Sequence, residues 1–306
     1  MPMLHEIFYW VFNMSITAAI TGLLVMLIGL AKRIPKRIAV FLWAVPFLRM
    51  VLPFGLNSPY SLMSLLSGVT TKTVVVFKPA EGVVFSAMNS IMAADTYFPI
   101  TYKVNLLEDV FRVASTLWVV VALALLLMMA VIYFITMREM KDAVHLKDDV
   151  YLSEKILSPA VYGIVKPKII LPASWQKRNT ELIILHERAH ISGLDNLWRV
   201  LAFGITAVHW FNPLSWLLLG RFLADLELSC DERVLTKLPD DRRKEYALAL
   251  LESRRGTTVF ASAFGGARIR TRIENILSFK KMTWFSLIIL VTMVSVILYV
   301  LLTNGG

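Results

Sequence analysis

Two histidines stand four positions apart in LIILHERAHISGLDN, residues 182–196, with a glutamate directly after the first. On a helix this spacing puts His186 and His190 on one face, one turn apart. Two imidazoles so placed can share a metal ion, and in the pattern H-E-x-x-H the glutamate, here Glu187, is the general base that takes a proton from the attacking water in peptide hydrolysis. A catalytic zinc needs three protein ligands and one open position. The third ligand is sought in ADLELSCDERVL, where Glu227 and Asp231 also fall four apart on one helical face. Glu227 is the candidate ligand. Asp231 is the candidate for holding the free N–H of a ligand histidine and so fixing its tautomer. The competing reading is a charged, solvated helix face; the correctly spaced acidic pair favours the metal.

The elements between these motifs must bring them together. The H-E-x-x-H helix is expected to stop near Ser192-Gly193. A helix from about Asp195 to Trp210 then travels roughly 23 Å, and a return helix from Pro213 to Glu227 roughly 21 Å. Asn212-Pro213 interrupts the apolar run 200–219, because proline disfavours a helical residue before it. An antiparallel hairpin therefore returns Glu227 to the level of the histidines, whereas a straight span would leave the two at opposite ends. His209 is within reach as an oxyanion or substrate contact, but a buried hairpin residue is the preferred reading. Cys230, three positions after Glu227, is read as a small buried core residue rather than a ligand. VYGIVKPKIILP, residues 161–172, reads as strand, turn at Lys166-Pro167, strand. It is either scaffold or the edge that pairs with an extended substrate.

The rest of the chain sets this chemistry in a membrane. Of 306 residues 57% are hydrophobic, mean hydropathy is +0.64, and the excess lies in long runs. Runs at about 7–30, 38–54, 114–136 and 284–302 are candidate spans, at about 20 residues per crossing. The second is short and carries Arg49, which should face protein or snorkel. The N-terminus lacks the basic residues of a signal peptide, so the first run is read as a retained helix. A net charge of +10 points to membrane orientation rather than to nucleic acid. Basic residues cluster at 32–37, after 137 and before 284, which places those segments in the cytoplasm. Both termini and the 55–112 loop are then outside. The stretch ARIRTRIENILSFKK is explained by the positive-inside flank of the last span. With Cys230 as its single cysteine, the chain has no internal disulfide.

Several blocks together resemble the BlaR/MecR-type membrane zinc peptidases, metallopeptidase family 56. They are VYGIVKPKIILP (161–172), HERAH, HWFNP (209–213), DLELSCDERVL (225–235) and RIENILSFKK (272–281). The resemblance implies a mainly α-helical integral membrane protein of four transmembrane helices. A cytoplasmic gluzincin-type α+β zinc protease domain, 137–282, lies between the third and fourth, with its hairpin near 195–237. Residues 1–136 form the first membrane region and 283–306 the last span and tail. It implies His186, His190 and Glu227 on Zn2+, Glu187 as base, and a cell-membrane location. The implied partners are the lipid bilayer and a cytosolic protein substrate such as a transcriptional repressor. Self-cleavage near 272–281 is a further expectation. No direct nucleic-acid binding is expected, and a homodimer is compatible with the sequence. The antibiotic-sensing receptors carry a penicillin-binding sensor after the fourth span; this sequence ends at Asn304-Gly305-Gly306, so direct beta-lactam sensing is not expected of it. The competing class is a signalling or scaffold membrane protein with a structural metal site.

Overall fold

The uncharged first run forms one long helix, α1 (Pro2–Gly29), in the computed structural model of the chain, which describes residues 2–29, 34–52, 57–58, 106–176, 180–253, 269–279, 288, 291–296, 299–300 and 304–305. Its polar side chains turn back onto carbonyls of the preceding turn, Asn13 Nδ2 on Tyr9 (2.9 Å) and Thr21 Oγ1 on Ala18 (3.0 Å). That pairs their donors without water, while Asn13 Oδ1 stays buried without a partner. The third expected span is helix α4 (Leu106–Glu139). Residues Leu4–Gly29 and Val110–Asp142 are long and apolar enough to cross a membrane.

The second run is not one helix. It breaks at Trp43 into α2 (Lys36–Leu42) and α3 (Ala44–Val51). Pro46 has no N–H to offer the Leu42 carbonyl, so the helical ladder cannot run through. The break also frees the Trp43 indole to donate to Asp225 at 3.0 Å. Arg49 is buried in protein. Most of the expected exterior loop and most of the fourth span lie outside the described residues.

Beyond α4 comes a small sheet of β1 (Val144–Lys147), β2 (Val150–Ser153), β3 (Ala160–Tyr162) and β4 (Lys168–Pro172), in the order β1-β2-β4-β3. β2 and β4 run parallel, and β3 pairs antiparallel with β4 (Ala160 opposite Ile170) and forms one edge. The expected strand–turn–strand of residues 161–172 is this β3–β4 pair.

Next follow α5 (Glu181–Ser192), α6 (Asp195–Val208) and α7 (Pro213–Lys237). The turn between α5 and α6 places Leu194, not Gly193, in the left-handed region (φ 55°). Gly193 matters for space: a Cβ there would collide with the Arg233 guanidinium. α6 and α7 are the antiparallel hairpin. Its return starts with Asn212 accepting from the Leu214 N–H (2.9 Å) and Pro213 in the first turn, where a missing N–H costs nothing. The turn packs against α1 and α4. Phe211 stacks on Phe12, the Trp118 indole donates to the Val208 carbonyl (2.7 Å), and Asn212 donates to Ser15 Oγ (2.8 Å).

The other end of α7 is fastened to the start of α2. Glu232 accepts the backbone N–H groups of Lys36 (3.0 Å) and Arg37 (3.1 Å), and Lys36 Nζ pairs with Asp225 (3.1 Å). One apolar cluster (Leu42, Trp43, Leu218, Phe222, Leu226) joins hairpin to spans. A second (Leu182, Val234, Leu235, Tyr246, Leu250, Ile276) joins α5 and α7 to α8 (Arg243–Ser253) and α9 (Ile269–Ser278). Each buried Leu or Ile in them contributes about 1.5–3 kcal/mol. The two clusters fix α5 against α7, and the motif residues sit at that junction.

Candidate metal centre

His186 and His190 project from one face of α5 with ring centroids 4.7 Å apart, and their Nε2 atoms face each other at 3.2 Å. Both rings are buried, and each is held through Nδ1. His190 Nδ1 donates to Asp195 Oδ2 at 2.6 Å; Arg233, through the space Gly193 leaves, also donates to that oxygen (2.5 Å). His186 Nδ1 lies 2.8 Å from the Tyr246 hydroxyl, which donates to Asp231 Oδ1 at 2.7 Å. The one hydroxyl proton is spent on Asp231, so the Tyr246 oxygen accepts and His186 Nδ1 must donate. His186 therefore carries its proton on Nδ1, and its Nε2 is an acceptor that faces His190 Nε2 and also takes a hydrogen bond from Arg272 at 3.1 Å.

The two Nε2 atoms, 3.2 Å apart, have the separation of two ligands on one metal ion. Glu227 Oε1 is 4.0 Å from His190 Nε2. Ligands at 2.0–2.1 Å from a tetrahedral zinc stand about 3.3 Å from one another, so the two histidines have that spacing and Glu227 stands farther from His190. Burial pushes the Glu227 carboxyl up, but Arg272, His190 and Arg199 around it overcome this and hold it below the usual carboxylate range. It remains an anion. The donor set thus fits a divalent metal.

Cys230 offers a second set. One ligand atom from each of His186, His190 and Cys230 lies within 4.8 Å of the others. The Cys230 sulfur sits 3.6 Å from His186 Nδ1, however, and that nitrogen is already committed to Tyr246. Burial also pushes the thiol up. A thiol that keeps its proton and faces an occupied nitrogen is the poorer ligand.

Glu187 lies on the same helix, 7% exposed, and burial pushes its carboxyl up. A carboxyl so raised exchanges a proton nearer neutrality than one in water.

The structure distributes the expected roles differently from the sequence reading at two points. Asp231 reaches His186 through Tyr246 rather than directly, its own oxygen being 3.5 Å from Nδ1. His209 hydrogen-bonds the Met50 carbonyl (3.0 Å) at the far end of α6, among the spans. No described contact joins it to His186, His190 or Glu227.

Four further side chains belong to the centre. Asp195 was legible as a carboxylate five positions after His190, but served only as a helix start. Tyr246, on α8, had no spacing to reveal it. Arg272 was assigned to a positive membrane flank; instead it is 3% exposed, donates to both Asp231 oxygens at 2.7 Å, and meets Glu227 Oε2 at 3.1 Å and His186 Nε2 at 3.1 Å. A buried carboxylate pair needs a cation, and only packing brings this one. Arg199, on α6, donates to Glu227 Oε1 at 2.5 Å.

Comparison with known proteins places this geometry. The family profile described as BlaR1 peptidase M56 matches residues 9–276. The regulatory protein BlaR1 of Bacillus licheniformis is 29% identical over 152 residues, 46% of this chain and 25% of that protein. The methicillin resistance mecR1 protein of Staphylococcus aureus is 31% identical over 104 residues, 33% of this chain and 18% of that protein. The matched stretch is thus a quarter or less of each relative's length.

Proposed function

This chain belongs to the BlaR1 peptidase M56 family, and from that premise we propose that it is a membrane-embedded zinc endopeptidase that signals by cleaving a cytosolic protein. His186, His190 and Glu227 are its metal ligands and Glu187 its general base. The observation that carries this is the pair of Nε2 atoms 3.2 Å apart, each ring fixed from behind through Nδ1, with the ionised Glu227 carboxylate 4.0 Å from His190 Nε2.

His186, His190 and Glu227 would hold a divalent metal, which when bound would polarise the peptide carbonyl and lower the pKa of a neighbouring water. Glu187 accepts a proton from that water as its oxygen bonds to the carbonyl carbon. The carbonyl electron pair moves onto oxygen. When the tetrahedral species collapses, the C–N bond breaks, and Glu187 returns the proton to the leaving nitrogen. Asp195 and the Tyr246–Asp231 pair keep both histidines in the tautomer that leaves Nε2 open.

The membrane setting rests on helices α1 and α4 and on the hairpin turn packed between them. With these as spans, the hairpin turn lies at membrane depth and the metal centre near the end where Lys36 and Arg37 cluster. That is the cytoplasmic side by the positive-inside rule. The backbone pairing of 57–58 with 304–305 supports an exterior position for both. The substrate class is a cytosolic regulator such as a transcriptional repressor, after the regulatory and resistance proteins among the relatives. Self-cleavage near 272–281 belongs to the same proposal, and the contact of Arg272 with Glu227 supports it by bringing that segment to the centre.

The test compares new protein N-termini across cells carrying the wild type and Glu187→Gln. Termini that need Glu187 establish a protease and name its substrates, itself included. Identical termini in both, with metal bound in both, indicate a scaffold with a structural metal site.

A further inference from the structure

Between the sheet edge and the metal centre runs an unbroken chain of side-chain hydrogen bonds. β3 pairs with β4 on one side only, so the N–H and C=O groups of alternate residues point away from the sheet. Two of these carbonyls, Val161 and Gly163, accept both protons of the Asn196 side-chain amide, at 3.0 and 3.1 Å. The Asn196 oxygen accepts from Arg199 NH1 at 3.3 Å, and Arg199 NH2 donates to Glu227 Oε1. Asn196 and Arg199 are one turn apart on α6 and therefore line the passage between the β3 edge and Glu227.

Two arginines hold Glu227, and they differ in exposure. Arg272 is 3% exposed and fully engaged by Asp231 and Glu227. The Arg199 side chain is 33% exposed. A guanidinium has five N–H donors, and Glu227 and Asn196 take two of them. The partial exposure of the side chain leaves the remainder accessible to a ligand. The Val161 and Gly163 carbonyls are taken by Asn196, so Arg199 is tied to this edge through Asn196.

Resting on the peptidase reading, we infer that Arg199 binds the substrate's scissile carbonyl oxygen and stabilises it as it becomes an oxyanion, with Asn196 as the positioning residue that sets the β3 edge at the right distance. Arg199 moves no proton: it meets the electron pair that shifts from the carbonyl bond onto oxygen when water adds, and releases it when the C–N bond breaks. This is the oxyanion role for which His209 was a sequence candidate. His209 is occupied by Met50 among the spans; Arg199 is at the centre.

The test uses the full chain in detergent with Arg199→Gln, Arg199→Lys and Glu187→Gln. Three readouts are taken: metal bound per chain, affinity for a peptide phosphonamidate bearing a tetrahedral charged oxygen in place of the carbonyl, and kcat and KM on peptides from a proteome digest. Arg199→Gln is expected to keep its metal and its melting temperature, lose about 100-fold in kcat with KM little changed, and bind the phosphonamidate correspondingly less tightly. Arg199→Lys should restore part of both. Loss of metal in step with activity would make Arg199 a support for Glu227 and overturn the inference. Wild-type kcat and phosphonamidate affinity in Arg199→Gln would overturn it while leaving the peptidase standing. A wild type that binds metal but neither cleaves the digest nor binds the phosphonamidate overturns both.

Discussion

Substituting Arg272 by Met should separate the stability of the centre from its capacity for metal. Asp231 is fully buried and receives two hydrogen bonds from Arg272 and one from Tyr246, each 2.7 Å. Arg272→Met leaves this carboxylate with a single hydroxyl donor. Removing one partner of a buried pair costs about 3–5 kcal/mol. At about 2.1 cal/mol/K per residue, the unfolding entropy of a chain this size is roughly 0.6 kcal/mol/K, so the melting temperature should fall by roughly 5–8 °C. Helix α9 carries Arg272, so amide exchange over residues 269–278 should quicken first. The double variant Arg272→Met/Asp231→Leu removes both charges and should recover most of the loss, since apolar replacement of a whole buried pair is close to neutral. Metal affinity should not recover with it. Without Asp231 the Tyr246 hydroxyl no longer fixes His186, which costs about 10–100-fold in affinity. The assay is thermal melting of the full chain in detergent, with chelator to remove the metal contribution, beside zinc titration against a competing chelator. A single variant that melts with the wild type, or a double variant as unstable as the single, refutes the buried pair as the lock between α9 and α7.

Three other outcomes follow from the same contacts. Glu227→Ala should lose bound metal, whereas Cys230→Ala should keep it, by metal analysis of the purified chains; the opposite order would make Cys230 the third ligand in place of Glu227. Tyr246→Phe keeps the ring in its apolar cluster but leaves His186 Nδ1 without its acceptor, and should weaken zinc about 10–100-fold with little change in melting temperature. Burial raises the Glu232 carboxyl above its ordinary value, against the two backbone N–H groups it accepts. A raised folded-state value means its contribution is fully present below the unfolded pKa, about 4.5, and is lost as pH rises through the folded one. The stability of the wild type relative to Glu232→Gln should therefore decline as pH rises above about 4.5, and a flat difference would mean that the two N–H groups fully offset the cost of burying the charge.

The membrane character, the strand–turn–strand and the hairpin were legible because each is written in local spacing. Apolar runs of span length, β-branched residues on both sides of Lys166-Pro167, and Asn212-Pro213 inside an apolar run all report on neighbours in sequence. So does the convergence of the motif residues: a four-residue interval gives the same helical face twice, and two opposed helices of similar length return Glu227 to the histidines. The split of the second run at Trp43 was partly legible in Pro46, but its partner Asp225 lies far along the chain.

What the sequence left undecided are the partners that come from other elements. Asp195, Tyr246, Arg199 and Arg272 reach the centre from α6, α8 and α9, and no periodicity links an arginine at 272 to an aspartate at 231. Charge counting assigned Arg272 to the membrane flank, because composition records how many cations there are and not which one is buried. Only the packing of α9 on α7 puts its guanidinium against Asp231 and Glu227, and only the packing of α6 on α3 carries His209 to Met50. Local sequence determined which groups could bind a metal; long-range packing decided which protons they carry and which charges surround them, because an imidazole's tautomer and a carboxylate's ionisation are set by the nearest polar atoms in space.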